Sequence, residues 1–305
     1  MPADTGIDAK LEDPNRSQET QARVSRHFSA HAHYWEQLYV EPTVYGAIHR
    51  ERHRRALEWI DELGLAEGSR VVEVGCGAGL LAADLVRRAF VTDCIDSSDA
   101  MVALTRDRLA KLGGARRVTV SEGDVHSLRF GDGSRDLVVA LGVLPFLHSP
   151  VEALREIARI LKPGGWVVLS SDNQYRLTHC LDPRLTPLLP GRERLKRLLR
   201  RLSRGRDRMT PYAFSFGVLA DMLHGAGFEI RRDASLGFGP FTMFAAPLLP
   251  ESVGLAVHRR LQAMADRGVP ILSATGAQHL VLATLTVPAY RRARSLPEPQ
   301  STATA

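Results

Sequence analysis

Cysteine is scarce: Cys76, Cys94 and Cys180 are the only three in 305 residues, and none stands at a metal-ligating spacing. Three cysteines cannot all pair internally, so the sequence reads as that of a reduced, cytoplasmic protein rather than a disulfide scaffold. Long apolar runs are missing too. The longest, "LVVALGVLPFL" from Leu137 to Leu147, falls short of the roughly 20 residues that span a bilayer. The opening "MPADTGIDAKLEDPNRSQETQ" has no apolar segment of the kind a secretory signal requires. No Gly-Lys-Ser/Thr run exists, which removes the P-loop class of phosphate sites.

An excess of basic charge is also lacking from most of the chain, despite a net charge of +6. Ten Lys and Arg residues against two acids, Glu193 and Asp207, lie between Arg184 and Arg208, and the remainder is slightly acidic. A nucleic-acid binder would spread positive charge over its main domain, so no nucleic-acid partner is expected. Within the basic segment Leu195, Leu198, Leu199 and Leu202 share one helical face, with Arg194, Lys196, Arg197, Arg200 and Arg201 around the rest. A helix of this kind over 191–208 suits peripheral contact with an anionic membrane, an acidic partner, a lid over a substrate anion, or a plain surface position.

What the chain does have is 44% hydrophobic and 24% charged residues, the balance of a soluble protein with a real core. Residues 1–20 are polar and read as a disordered tail. Residues 21–66 read as an N-terminal helical cap, in which Ala56, Trp59, Ile60 and Leu63 fall at helical spacing. Across 67–173 strands at 70–75, 90–96, 118–124, 136–144 and 166–172 alternate with helices or short crossovers. That rhythm calls for an α/β fold with a parallel sheet covered on both faces. Residues 174–245 break the rhythm as a specificity insertion before the chain returns to the core. Residues 246–290 supply a helix and a last strand over 278–287, and 291–305 read as a second disordered tail.

The stretch "VVEVGCGAGLLAADL" (71–85) places Gly75, Gly77 and Gly79 between a strand and a helix start. Backbone N–H groups point outward in such a turn and donate to polar or negative ligand groups. The spacing is G-x-G-x-G, which differs from the dinucleotide fingerprint. Asp96 ends the second strand, 17 residues after Gly79, where a carboxylate can accept both hydroxyls of a ribose. Asp124 ends the third strand, within reach of an exocyclic amine. Asp136 opens the fourth strand, away from the ligand edge, and reads as structural.

The ordered series "VVEVGCGAG", "CIDSSDAM", "EGDV", "DLVVALGVLPFL" and "LKPGGWVVLS" resembles that of class I S-adenosylmethionine-dependent methyltransferases over about residues 70 to 172. The resemblance implies a Rossmann-like, seven-stranded, mostly parallel sheet of order 3-2-1-4-5-7-6 with the last strand antiparallel. It also implies S-adenosyl-L-methionine as cofactor and methyl transfer to a small acceptor. On the matching positions, Gly75, Gly77 and Gly79 would approach the methionine portion and Glu73 would hold the loop or the amino group. Asp96 would bind the ribose, Ser97 and Met101 would border the adenine, and Asp124 with Val125 would fix its edge. Leu141 and Gly142 would lie beneath the methyl.

His148 is the candidate base, with His27, His31 and His33 behind it. "HFSAHAHYW" resembles the N-terminal lid of small-molecule members of that family, in which Tyr34, Trp35 and Tyr39 would close over the cofactor, or else they are ordinary core. Tyr212, Phe214, Phe216, Phe238, Phe241 and Phe244 suggest an apolar, aromatic or lipid-like acceptor, or else extra core. No metal is expected. An RNA or protein methyltransferase, a non-catalytic binding module and a nicotinamide dehydrogenase remain as alternatives; "LGVLPFLHSP" lacks the amine-methylating "NPPY" pattern.

Overall fold

The computed structural model describes residues 14–112, 117–182, 211–243 and 246–286. The basic helix expected over 191–208, Phe244, and the tails over 1–13 and 291–305 lie outside the described residues.

The chain begins with α1 (Pro14–Ala30), which starts inside the stretch expected to be a tail, then α2 (Ala32–Gln37) and α3 (Val44–Glu62). Strands β1 (Arg70–Val74), β2 (Val91–Asp96), β3 (Val118–Glu122), β4 (Arg135–Ala140) and β5 (Leu161–Asp172) follow. Between them lie α4 (Leu80–Arg87), α5 (Asp99–Ala110) and α6 (Pro150–Ile160). After α7 (Thr178–Leu181) come α8 (Phe216–Gly225), β6 (Phe228–Leu236) and a two-residue pair, β7 (Thr242–Met243) and β8 (Ala246–Pro247). Helices α9 (Glu251–Asp266) and α10 (Pro270–Thr275) and strand β9 (Gln278–Leu285) complete the described fold.

The main sheet runs β3-β2-β1-β4-β5-β9-β6, with β9 antiparallel to both of its neighbours. This is the order that the motif series implied. Alternation along each strand decides which helix covers which face. Val72, Val74, Val138, Ala140, Val167, Leu169, Val281 and Ala283 point to one face, where α6 and α8 pack through Leu154, Ile157, Leu219 and Leu223. Val71, Leu137, Val139, Val168, Leu280 and Leu282 point to the other, against Ala56, Trp59 and Ile60 of α3 and Leu81 and Leu85 of α4. Strands buried on both faces need a near-continuous apolar run, as "LVVA" in β4 and "LVLA" (280–283) in β9 provide.

The fourth strand falls furthest short of its expected end. It was expected over 136–144 but stops at Ala140. The chain turns at Gly142, and Pro145 helps fold Leu144–Phe146 into a single 3-10 turn. The apolar run continues because these turn residues are themselves buried, not because the strand does. Leu144 is fully buried and Leu147 is 4% exposed. Asp136 stays at the opposite edge, accepting from Arg70 N at 2.8 Å and from Lys162 Nζ at 2.6 Å, which ties the starts of β1, β4 and β5 together.

Candidate functional site

The carboxyl ends of β1, β2, β4 and β5 open into a cavity of about 240 Å³, roofed by α1, α2 and α3. Its floor is built first by the glycine turn. Gly75 and Gly77 hold φ of +67° and +55°, a region that costs other residues a β-carbon clash. Gly75 N and Cys76 N both donate to Ile95 O, at 2.7 and 3.1 Å, tying the turn to the end of β2. No atom lies within 4 Å of a Cβ placed on Gly77, whereas a Cβ on Gly79 would come 3.0 Å from Thr105 Cα. Gly79 therefore serves close packing of the loop on α5. It does not line the cavity; Gly75, Cys76, Gly77 and Ala78 do.

Two carboxylates converge on this turn. Asp96 accepts from Gly77 N through Oδ2 and from Ser98 N through Oδ1, both at 2.9 Å. Burial raises its pKa against the opposing effect of those hydrogen bonds. Glu73, at the end of β1, is 5% exposed, and its Oε2 has no hydrogen-bond partner. It takes a backbone hydrogen bond from Ala82, doing the work of an N-cap for α4, where Gly79 offers no side chain. Burial, reinforced by Asp96, pushes the Glu73 carboxyl well above the usual range.

The sign of the resulting pH dependence follows from that direction. A carboxyl whose folded pKa is raised contributes stability that is complete below its unfolded value, about 4.3, and is lost as pH rises through the folded one. Glu73→Gln should therefore flatten the decline in melting temperature of the ligand-free protein as pH rises from about 4 toward neutrality. Thermal scans of both proteins across that range check it, and parallel curves would refute it.

Asp124 sits beyond β3. Burial pushes its pKa up, but the His126 hydrogen bonds outweigh this and hold it below the usual range. Its Oδ1 accepts from His126 N at 2.9 Å and lies 2.6 Å from His126 Nδ1. Ser97, Met101, Val125, Leu141 and Gly142 also line the cavity, so it gathers every cofactor-binding residue named from the sequence except Gly79.

His148 is not brought there. Its ring stacks on His126 at 3.8 Å, its Nδ1 is buried without a partner, and it is absent from the cavity wall. The 3-10 turn accounts for this, since it directs Pro145, Phe146 and Leu147 at the cavity and carries His148 past it. His27, His31 and His33 do not line the cavity either. Nor, among the described residues, do the aromatics expected to wall the acceptor. Phe214 and Phe216 pack on the α6–α8 core, Phe238 is buried in a separate cluster with Leu272, and Tyr212 is 48% exposed. The aromatic walls are Phe28, Trp35, Tyr39, Tyr45 and Phe146, with Phe28 edge-on to Phe146 at 5.0 Å.

The cap is latched to the side of the cavity that lies over β1 and β2. Arg108 of α5 donates to Ala78 O through Nε and to Glu36 of α2 through Nη2, both at 2.7 Å. Gln21 Nε2 donates to Ser97 Oγ at 3.2 Å, and Ser29 Oγ and Ser98 Oγ share a hydrogen bond of 2.8 Å.

Sequence reasoning missed the polar end of α3. His49, Arg52 and His53 all line the cavity. They continue, one turn toward the N-terminus, the stripe of Ala56, Trp59 and Ile60, and the i, i+3, i+4 spacing was the available signal. His49 Nδ1 donates to Tyr45 O at 2.9 Å, leaving Nε2 as an acceptor. Burial, with the Arg52 charge, pushes the His49 pKa down to about 3. His53 Nε2 lies 2.8 Å from Asp84 Oδ2 on α4.

Residues 72–169 match the profile of the methyltransferase domain family. With the strand order and the motif series, this defines the core as a class I S-adenosylmethionine-dependent methyltransferase domain. Among curated relatives, the ubiquinone biosynthesis O-methyltransferase of Paracidovorax citrulli is 31% identical over 148 residues, 48% of this chain and 60% of its own length. That of Thiobacillus denitrificans is 26% identical over 186 residues, 61% of this chain and 75% of its own. The match to the Paracidovorax relative thus spans less than two thirds of that protein.

Among solved structures, magnesium protoporphyrin IX methyltransferase from Synechocystis PCC 6803, with bound SAH, superposes with a TM-score of 0.60 at 16% identity, covering 87% of this chain and 99% of that one. The cyclase SpnF does so with a TM-score of 0.52 at 24% identity, covering 77% and 81%. These two likenesses establish the fold.

Proposed function

We propose that this protein transfers a methyl group from S-adenosylmethionine to a small, largely apolar or aromatic acceptor. One observation carries the reading: the open glycine turn, Glu73 with its unpartnered Oε2, and the carboxylate residues Asp96 and Asp124 line a single cavity. The turn and Glu73 fit the amino-acid end of the cofactor. Asp96, anchored by two backbone N–H groups, keeps a lone pair on each oxygen for the ribose hydroxyls. Asp124, oriented by His126, keeps Oδ2 for the adenine amine. When bound, the cofactor supplies a methyl activated by its sulfonium, the C–S electron pair passing to sulfur as an acceptor lone pair takes the carbon.

The chain's own contribution is positioning and exclusion of water. The latched cap and the aromatic walls hold the acceptor in line, an effect worth about 7–11 kcal/mol in favourable cases. The names of the curated relatives support oxygen as the acceptor atom, and the enclosed volume supports a small molecule over RNA or protein. Among the described residues no helix is long and apolar enough to cross a membrane.

Calorimetry should show binding of S-adenosylhomocysteine and no competition by NAD. Incubating the protein with methyl-labelled S-adenosylmethionine and a cell extract should move label into the small-molecule fraction. Competition by NAD would overturn the cofactor assignment. Label confined to RNA or protein would overturn the acceptor class.

A further inference from the structure

Arg52 is a buried cation without an anion. It is 5% exposed, yet among the described residues it forms no ion pair. Its Nη1 donates to Gln278 Oε1 at 3.3 Å and its Nη2 to Tyr39 Oη at 3.4 Å, both long contacts to neutral groups, and its Nε has no partner. Asp172, the carboxylate nearest along this hydrogen-bond chain, is already committed: Oδ2 accepts from Arg176 at 3.2 Å and Oδ1 from Gln278 Nε2 at 3.3 Å. A guanidinium removed from water without a counter-charge is costly, and such a group is retained where a ligand supplies the charge.

Its place in the sheet says which ligand. The nucleoside side of the cavity lies over β1, β2 and β3, where Asp96 and Asp124 sit. Arg52 reaches over the other half, since it contacts Gln278 at the start of β9 and lies 2.9 Å from where a Cβ on Gly142, after β4, would be. Strands stand about 4.8 Å apart, so Gln278 on β9, third from β1, is roughly 14 Å from the glycine turn, and the Arg52 guanidinium reaches from Gln278 to the segment after β4. Beside Arg52 on the same helix are the His49 imidazole and the Tyr45 ring, 4.4 Å apart.

We propose that Arg52 seats an anionic oxygen of the methyl acceptor, so that the substrate class is an acidic small molecule: a carboxylic acid, or a phenol or enol presented as its anion. The proposal rests on the methyl-transfer reading of the same cavity and names its substrate. An acceptor that arrives ionised needs no proton removed at transfer, which accords with the position of His148 off the cavity wall and with the weak basicity of His49.

The test titrates S-adenosylhomocysteine-saturated protein with benzoate and with benzamide, which differ in charge more than in shape. Benzoate should bind at least about tenfold more tightly, the scale of one hydrogen bond to a charged group. Arg52→Gln and Arg52→Met should remove that preference and leave S-adenosylhomocysteine affinity within about threefold. Arg52→Lys should retain part of it. Equal binding of the two probes to the wild-type protein, or binding of neither, overturns the proposal whatever the variants do. Loss of S-adenosylhomocysteine affinity in folded Arg52 variants also overturns it, by assigning the guanidinium to the cofactor's own carboxylate. Failure of wild-type protein to bind S-adenosylhomocysteine at all is a different result, and strikes the methyl-transfer reading instead.

Discussion

Gly75→Ala should abolish measurable binding of S-adenosylhomocysteine, with an affinity loss of at least about 100-fold, or roughly 2.7 kcal/mol. Two costs act together. The residue holds φ of +67°, where an L side chain pays about 1–2 kcal/mol. Its new Cβ would also lie 2.5 Å from Val143 Cγ2, so either the turn or the segment after β4 must move. Both border the cavity, and Gly75 N and Cys76 N would lose their shared acceptor, Ile95 O, if the turn moved. Calorimetry on folded variant protein is the measurement. Wild-type affinity would show that the turn tolerates displacement and that nothing binds closely against it.

Asp96→Ala should cost nearly as much for a different reason. The substitution leaves Gly77 N and Ser98 N without the acceptor that holds them at 2.9 Å, and takes away the carboxylate proposed for the ribose. Hydrogen bonds to a charged group contribute about 1.5–3 kcal/mol each, so a loss of roughly 100-fold or more in S-adenosylhomocysteine affinity is expected. Stability should move the other way or hardly at all, because burial raises the pKa of this carboxylate in the ligand-free protein. A calorimetric titration paired with a melting curve separates the two effects. Equal affinity for adenosine-containing and ribose-free analogues in the wild-type protein would remove the ribose role.

The sheet was legible because its evidence is local and periodic. Runs such as "LVVA" are apolar at every position and "RVVEV" at three of five, as a strand sandwiched between helices requires. The glycine turn and the carboxylates at the tips of β2 and β3 were legible for the same reason: each belongs to one strand end, and its address in the chain is its address at the site. The acceptor side was not. Arg52 and Gln278 meet across 226 positions, and no spacing links α3 to β9.

Proximity in sequence also misled at His148. It follows β4 by eight residues, but the intervening 3-10 turn directs Phe146 inward and leaves the imidazole against His126. Composition misled over the phenylalanines, since the same residue type fills a core or lines a cavity. Phe238 does the former and Phe28 the latter, and only the packing of α9, α10 and the cap distinguishes them.

Helix α3 belongs to two worlds at once, with Ala56, Trp59 and Ile60 fixed against the sheet and His49 and Arg52 a turn or two away in the cavity. On the proposed reading, the selector of the acceptor would be mounted on a beam bolted to the foundations. Exchanging side chains at 45, 49 and 52 would then change substrate preference while the proposed grip on the nucleoside stays as it is.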